Sequence, residues 1–359
     1  MSKNTIKLPR VIINTHCHGR DLREAHKTTV KQYLKESLKS SISISILMPN
    51  TNPPIVNILT LNKYLSLINR AVMEQEAPHE QYIYFGLTDT NIKECEIALR
   101  YPMVVGLKIY PKGVTTGNIG VSDYEVILKA MELVKKNNKV LAVHCDDPGI
   151  IAAARANPIE AEVFYVKKII GLAAKTPRVK IVICHVSCQQ SVEIILNAQG
   201  KGMQIAIEVT PHHLWFDSDG TNWNPAISPI FYHCYNNLRS IQHRVYLQHL
   251  ITKENSLVFI GSDSACHTEE EKMANKKLGG IPTHQEMVPV IVTLAKQFRI
   301  SDRQVANLLS FNASKFLGIP VSDELVEYEI KERIDSLQYN DGKVLNPWNG
   351  SRLWFPVLK

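Results

Sequence analysis

The sequence predicts an α/β protein, a (β/α)8 TIM-type barrel with a short C-terminal strand extension. Three observations lead there. Eight short runs rich in Ile and Val fall at 10–15, 42–48, 82–87, 103–110, 139–144, 179–185, 203–210 and 257–262. Segments of helical period separate them, for example 56–73, 124–136, 160–174, 189–199 and 238–250. The runs are apolar throughout rather than alternating, as strands covered by helices on one side and a barrel interior on the other must be. An open doubly wound sheet is the competing architecture, but no GxGxxG follows the first run.

The C-terminal part reads differently. A helix is expected over 301–309, then Pro320, a charged stretch at 323–333, and a hairpin around Asn349-Gly350. Residues 343–359 are expected to form a small strand pair covering one barrel face. No internal repeat is visible, and one domain over 1–359 is the economical reading.

Composition narrows the class. The 359 residues are 45% hydrophobic and 21% charged, ordinary for a globular chain. Seven cysteines, an odd number without a CxxC pair, argue against a disulfide framework. With a polar, basic N-terminus lacking an apolar core, they make a cytoplasmic location the expectation. No run approaches the roughly 18 apolar residues a membrane span needs. The net charge of +7 is scattered, as at Lys27, Lys31, Lys35 and Lys39, which reads as solvated helix faces rather than a nucleic-acid surface.

The chemistry lies where the apolar runs end. His16 and His18 close the first run as HxH, and positions i and i+2 of a strand share a face. His144, His185 and Asp263 follow the fifth, sixth and eighth runs. Four imidazoles and a carboxylate at one rim form an N/O donor set suited to Zn2+. Lys108, at the end of the fourth run, points the same way; as a neutral amine it could take up CO2 and bridge two metals as a carbamate. His26, His79, His243 and His249 fall in helices or loops and are expected at the surface. Cys17, Cys145 and Cys184 are expected to turn away from the ligands by strand alternation, as small packing residues; Cys266 is read as packing too.

Taken in order, HxHxR (His16, His18, Arg20), MPNTNPP at 48–54, GLKIY at 106–110, CHVS at 184–187, EVTPHHL at 208–214 and SDSACH at 262–267 resemble dihydroorotase, of the amidohydrolase superfamily, over nearly the whole chain. The 48–54 and 208–214 segments are similar to the longer type I enzymes. The Lys108 context and Thr115-Thr116 are similar to the compact type II. The resemblance implies reversible cyclisation of N-carbamoyl-L-aspartate to L-dihydroorotate in pyrimidine biosynthesis, a small-molecule substrate with neither nucleic acid nor membrane; a homodimer is compatible with it. It implies two Zn2+, one on His16, His18 and Asp263, the other on His144 and His185, bridged by carboxylated Lys108 and a hydroxide. Asp263 becomes general base, then general acid. Arg20, Asn50 and His267 hold the substrate carboxylate, and Thr115 and Thr116 ride a loop over the substrate. A hydantoinase- or allantoinase-like enzyme and a catalytically silent assembly partner are the alternatives. Two departures stand out: Asn236-Asn237 precedes Leu238-Arg239 where the family often has Pro-Pro, and Ala265-Cys266-His267 replaces Ala-Pro-His.

Overall fold

Residues 4–75, 78–115, 119–275 and 278–357 are described by a computed structural model of the chain. After an outlying strand β1 (Thr5–Pro9), eight strands lie side by side in chain order: β2 (Ile12–Cys17), β3 (Ile42–Leu47), β4 (Glu80–Gly86), β5 (Val104–Ile109), β6 (Val140–Val143), β7 (Lys180–Ile183), β8 (Ile205–Val209) and β9 (Val258–Ile260). All neighbouring pairs are parallel, and each matches one apolar run of the sequence. Closure comes just past the regular strands. Asp263 N–H donates to His16 O at 2.9 Å and His18 N–H to Ser264 O at 3.0 Å.

Side chains fill the barrel. Ile13, Ile46, Tyr84, Val140, Val182 and Phe259 belong to one interior cluster. Helix Asn312–Leu317 plugs the end where the strands begin, adding Ala313, Phe316 and Leu317 to that cluster. Outside, the crossover helices show why they form. In Tyr124–Lys136, Asp123 caps the N-terminus by accepting from Glu125 N–H, Val126, Ile127, Ala130, Met131 and Val134 make one buried stripe, and Lys135 and Lys136 sit at the negative end of the helix dipole.

The C-terminal expectation needs correction. Residues 343–359 do not form a strand pair, because within them only β11 (Arg352–Val357) is a regular strand. Its partner is β10 (Leu325–Ile334), the stretch read as merely charged, and β10 pairs in turn with β1 in an antiparallel three-stranded sheet. The sequence hid β10 because its polar residues face solvent and, among the strand's ten residues, only Tyr328 and Ile330 are buried. The sheet rests on helix Met287–Phe298 rather than on the barrel mouth. The expected helix at 301–309 exists only as Asp302–Ala306, continuing into a π-turn at Asn307–Phe311. That at 238–250 begins later, at Ile241, leaving Arg239 free to reach inward. His79, expected at the surface, is buried with Nδ1 3.1 Å from Ile42 O.

Among the described residues, no helix is long and apolar enough to cross a membrane.

Leu353 of β11 is fully buried in the outer core. Leu353→Ala should destabilise the fold by about 2–5 kcal/mol, read as a lower denaturant midpoint at unchanged slope; an unshifted midpoint would mean that the three-stranded sheet adds nothing to stability.

Candidate active site

A register slip brings His16 inward. With Ile13 in the interior, strict alternation would direct Thr15 and Cys17 inward and His16 out. Pairing with β3 shifts between Asn14 and Cys17, an irregularity that changes the phase. Thr15 and His16 therefore both reach Glu208: Thr15 Oγ1 donates to Oε2 at 2.7 Å, and His16 Nδ1 lies 2.6 Å from Oε1. Cys17 joins the outer core. His16 Nε2 and His18 Nε2 then converge on one Asp263 oxygen, at 3.1 and 3.0 Å.

On the opposite side, His144 follows the inward register of Val140 and Ala142. His185 does not follow its own strand, in which Val182 and Cys184 face inward. A left-handed backbone at His185 (φ 39°) turns its ring back into the mouth, and Asp263 has a similar conformation (φ 45°). His144 Nδ1 and His185 Nε2 face each other at 3.0 Å. The expectation for Cys184 is thus overturned: its sulfur lies inside and accepts from Lys108 Nζ at 2.9 Å. Cys17 and Cys145 do pack outward.

The electrostatics suit cations. Burial would raise the Asp263 carboxyl, but His16 and His18 hold it well below the usual range. Burial would lower His16, yet Glu208 and Asp263 raise it well above an ordinary imidazole. Burial takes His18 down to about 4 and, with His144 adding to the effect, His185 well below normal. The site thus sets two carboxylates beside His18 and His185, which burial keeps neutral, while those carboxylates hold on His16 a proton that a bound cation would displace. That is the donor set a divalent metal requires. Lys108 is completely buried, donates to the Cys184 sulfur and stands 5.1 Å from the Tyr110 ring centroid; among the described residues it forms no ion pair.

At the rim, Arg20 is buried, with Nη1 donating to Asn50 O at 3.0 Å and reaching Glu24 Oε2 only at 3.4 Å. Lys27 takes the other Glu24 oxygen at 2.7 Å, and Arg20 Nε has no partner among the described residues. Asn50 Oδ1 lies 2.8 Å from His18 Nδ1, and its amide donates to Thr115 Oγ1 at 3.2 Å. Arg20, Asn50 and Thr115 line the same cavity as His16, His18, His144, His185 and Asp263. His267 stands behind Gly280, where an added Cβ would meet its Cδ2 at 2.8 Å. His267 Nδ1 lies 3.8 Å from Glu271 Oε2, neither ring nitrogen has a partner within hydrogen-bonding distance among the described residues, and burial lowers the imidazole to about 3. Thr116 lies outside the described residues.

No family model matches the chain. It is, however, 31% identical over 281 residues to the dihydroorotase of Synechocystis, covering 76% of this chain and 75% of that one. The chain belongs to the dihydroorotase family. It shares its fold with the Saccharomyces cerevisiae dihydroorotase solved with 5-fluoroorotic acid (TM-score 0.82, 19% identity, 98% of both chains). The L-hydantoinase of Arthrobacter aurescens has the same fold (TM-score 0.83, 19% identity, 98% of this chain and 83% of that one). Membership of the dihydroorotase family makes this a metal-dependent amidohydrolase.

Sequence reasoning missed the residues that orient the ligands. Glu208 holds His16, although its inward alternation with Ala206 was a usable signal. Asp146, two residues past His144, lies 2.9 Å from His144 Nε2 and accepts from Asn157 Nδ2 at 2.8 Å. Gly261 is obligatory beside them, since a Cβ there would come within 2.7 Å of the Glu208 carboxyl and Thr15 Oγ1. The departure at Asn236 is now intelligible. Its φ of 60° is closed to proline, its carbonyl accepts from His213 Nε2 at 2.7 Å, and its amide lies 3.0 Å from His185 Nδ1. Here an asparagine orients an imidazole where the family often has proline.

Removing the carboxylate behind His144 should loosen metal without unfolding the barrel. Asp146→Asn is expected to weaken metal retention about 10–100-fold, measured by competition with a chelator; wild-type retention would make Asp146 a packing residue only.

Proposed function

We propose that this chain is a zinc-dependent dihydroorotase, interconverting L-dihydroorotate and N-carbamoyl-L-aspartate. The observation that carries this is the convergence of His16, His18 and Asp263 on one side, and His144 and His185 on the other, in one cavity. A buried ammonium is costly beside such a site. The Lys108 amine, in its neutral form, would add CO2 at Nζ and lose a proton, and the resulting carbamate would offer oxygen donors to a metal. His16, His18, Asp263, His144 and His185 would hold two zinc ions, whose chemistry there would be to polarise the ring carbonyl and acidify a water. Arg20 offers unspent guanidinium donors to the ring carboxylate, with Asn50 beside it and His267 behind them completing the anion pocket. Thr115 closes the same rim. Ring opening adds water across the amide C–N bond: Asp263 accepts the proton of the attacking water and returns it to the departing nitrogen. The reverse sequence closes N-carbamoyl-L-aspartate and releases water.

Dihydroorotate turnover, followed by ultraviolet absorbance, should vanish on exhaustive chelation and return on adding zinc; full turnover by protein shown to be metal-free would refute the reading. Arg20→Gln should raise KM for dihydroorotate about 10–100-fold, the loss of one charged hydrogen-bonding pair, at unchanged metal content. Unaltered kinetics would instead favour a ring without a carboxylate, as in hydantoins.

A further inference from the structure

Beside the proposed dinuclear site lies a second donor cluster that the mechanism leaves unused. His212, His213 and Cys234 are all buried and offer ligand atoms within 4.8 Å of one another. Their sources are separate: His212 and His213 belong to the short helix Pro211–Trp215 after β8, whereas Cys234 follows the turn Pro229–Tyr232. The imidazole planes are tilted, with centroids 4.5 Å apart, and are not stacked face to face.

His212 is the anomaly. It is completely buried, yet among the described residues neither ring nitrogen has a hydrogen-bond partner. An imidazole normally has one nitrogen that donates and one that accepts, and leaving both unmet in the interior costs about 1–3 kcal/mol for each group. The bland account of a structural histidine fits its neighbour better, since His213 Nδ1 lies 2.7 Å from Thr210 Oγ1 and Nε2 donates to Asn236 O at the same distance. Nothing comparable satisfies His212. Cys234, whose sulfur makes a long contact of 3.6 Å to Asn236 O, also lines the active-site cavity, which gives an ion or water a route in.

We propose that His212, Cys234 and His213 form a third metal site, thiolate-containing and selective for a borderline or soft divalent cation such as zinc, cobalt or cadmium. Nitrogen and sulfur donors set that preference over magnesium or calcium. As the ion binds, the Cys234 S–H bond gives up its proton to water and the sulfur becomes an S–metal ligand. His212 supplies a lone pair that is otherwise idle, and His213 exchanges one of its two hydrogen bonds for the ion. The cavity side supplies water as the fourth ligand. The assignment does not depend on what substrate the enzyme turns over.

The test uses metal binding rather than turnover. The full-length protein, stripped of metal and then saturated with Co2+, should show thiolate-to-cobalt absorption in the near ultraviolet. Elemental analysis should give one more ion per chain than in Cys234→Ser or His212→Asn, and both substitutions should abolish the absorption. Cys184→Ser removes the thiol of the rival donor group His16, Cys184 and Glu208 and should leave the absorption intact. Circular dichroism establishes that each variant is folded, and His212→Asn keeps the test decisive should Cys234→Ser misfold. Equal stoichiometry in wild type and folded variants, or an absorption band that survives Cys234→Ser or disappears in Cys184→Ser, would overturn the third site. Loss of dihydroorotate turnover bears on the proposed function alone.

Discussion

The seam that closes the barrel is also what assembles the site. β2 and β9 meet through the bonds from Asp263 N–H to His16 O and from His18 N–H to Ser264 O, so the backbone groups that make the sheet continuous belong to the residues that converge on it. Ser262 reinforces the join, its Oγ donating to His16 O at 2.9 Å and accepting from Asn14 Nδ2 at 2.8 Å. A side chain on a loop would need separate support to hold such positions. Here the ladder that makes the fold also sets the separation between the imidazoles of the first strand and the carboxylate after the last.

That placement has an energetic consequence. Glu208, Asp263, Lys108 and Asp146 crowd into the mouth of an otherwise apolar barrel, where an isolated charge is strongly disfavoured. The protein answers with reciprocal partners: Glu208 with His16 and Thr15, Asp146 with His144 and Asn157. A second buried group lies further out. Glu162 accepts from Ser187 Oγ, while Arg239 Nε donates to that same hydroxyl at 2.9 Å and Arg239 Nη1 to Asn157 O at 2.7 Å. A chain of hydrogen bonds thereby links the helix Ile159–Ala173 to the Asp146 carboxylate and so to His144. Such outer partners fix the ring orientation that a metal ligand must have.

Much of this was legible beforehand, and the exceptions have definite causes. Uniformly apolar runs announced parallel strands, and polar residues at their ends announced the mouth, so His16, His18, His144, His185 and Asp263 could be singled out by position. Alternation then failed in two places. At β2 a register slip reversed the phase, and at His185 a left-handed residue did the same, which is why Cys184 lies inside beside Lys108 instead of outside. Neither irregularity has a marker such as glycine. The strand β10 was missed because an antiparallel strand with one solvated face carries too few apolar residues to stand out from a charged loop.

By itself, the sequence determined the barrel class and placed the candidate donor residues at its strand ends, because periodicity and residue chemistry are local properties of the chain. The tertiary structure alone decided which side chains orient those ligands, that Asn236 could serve where proline is usual, that the terminal segments pair as β1, β10 and β11, and that His212 and Cys234 meet. The reason is distance along the chain. Contacts such as Glu208 with His16, or Asn236 with His185, join residues far apart in sequence, and only closure of the barrel brings them within bonding range.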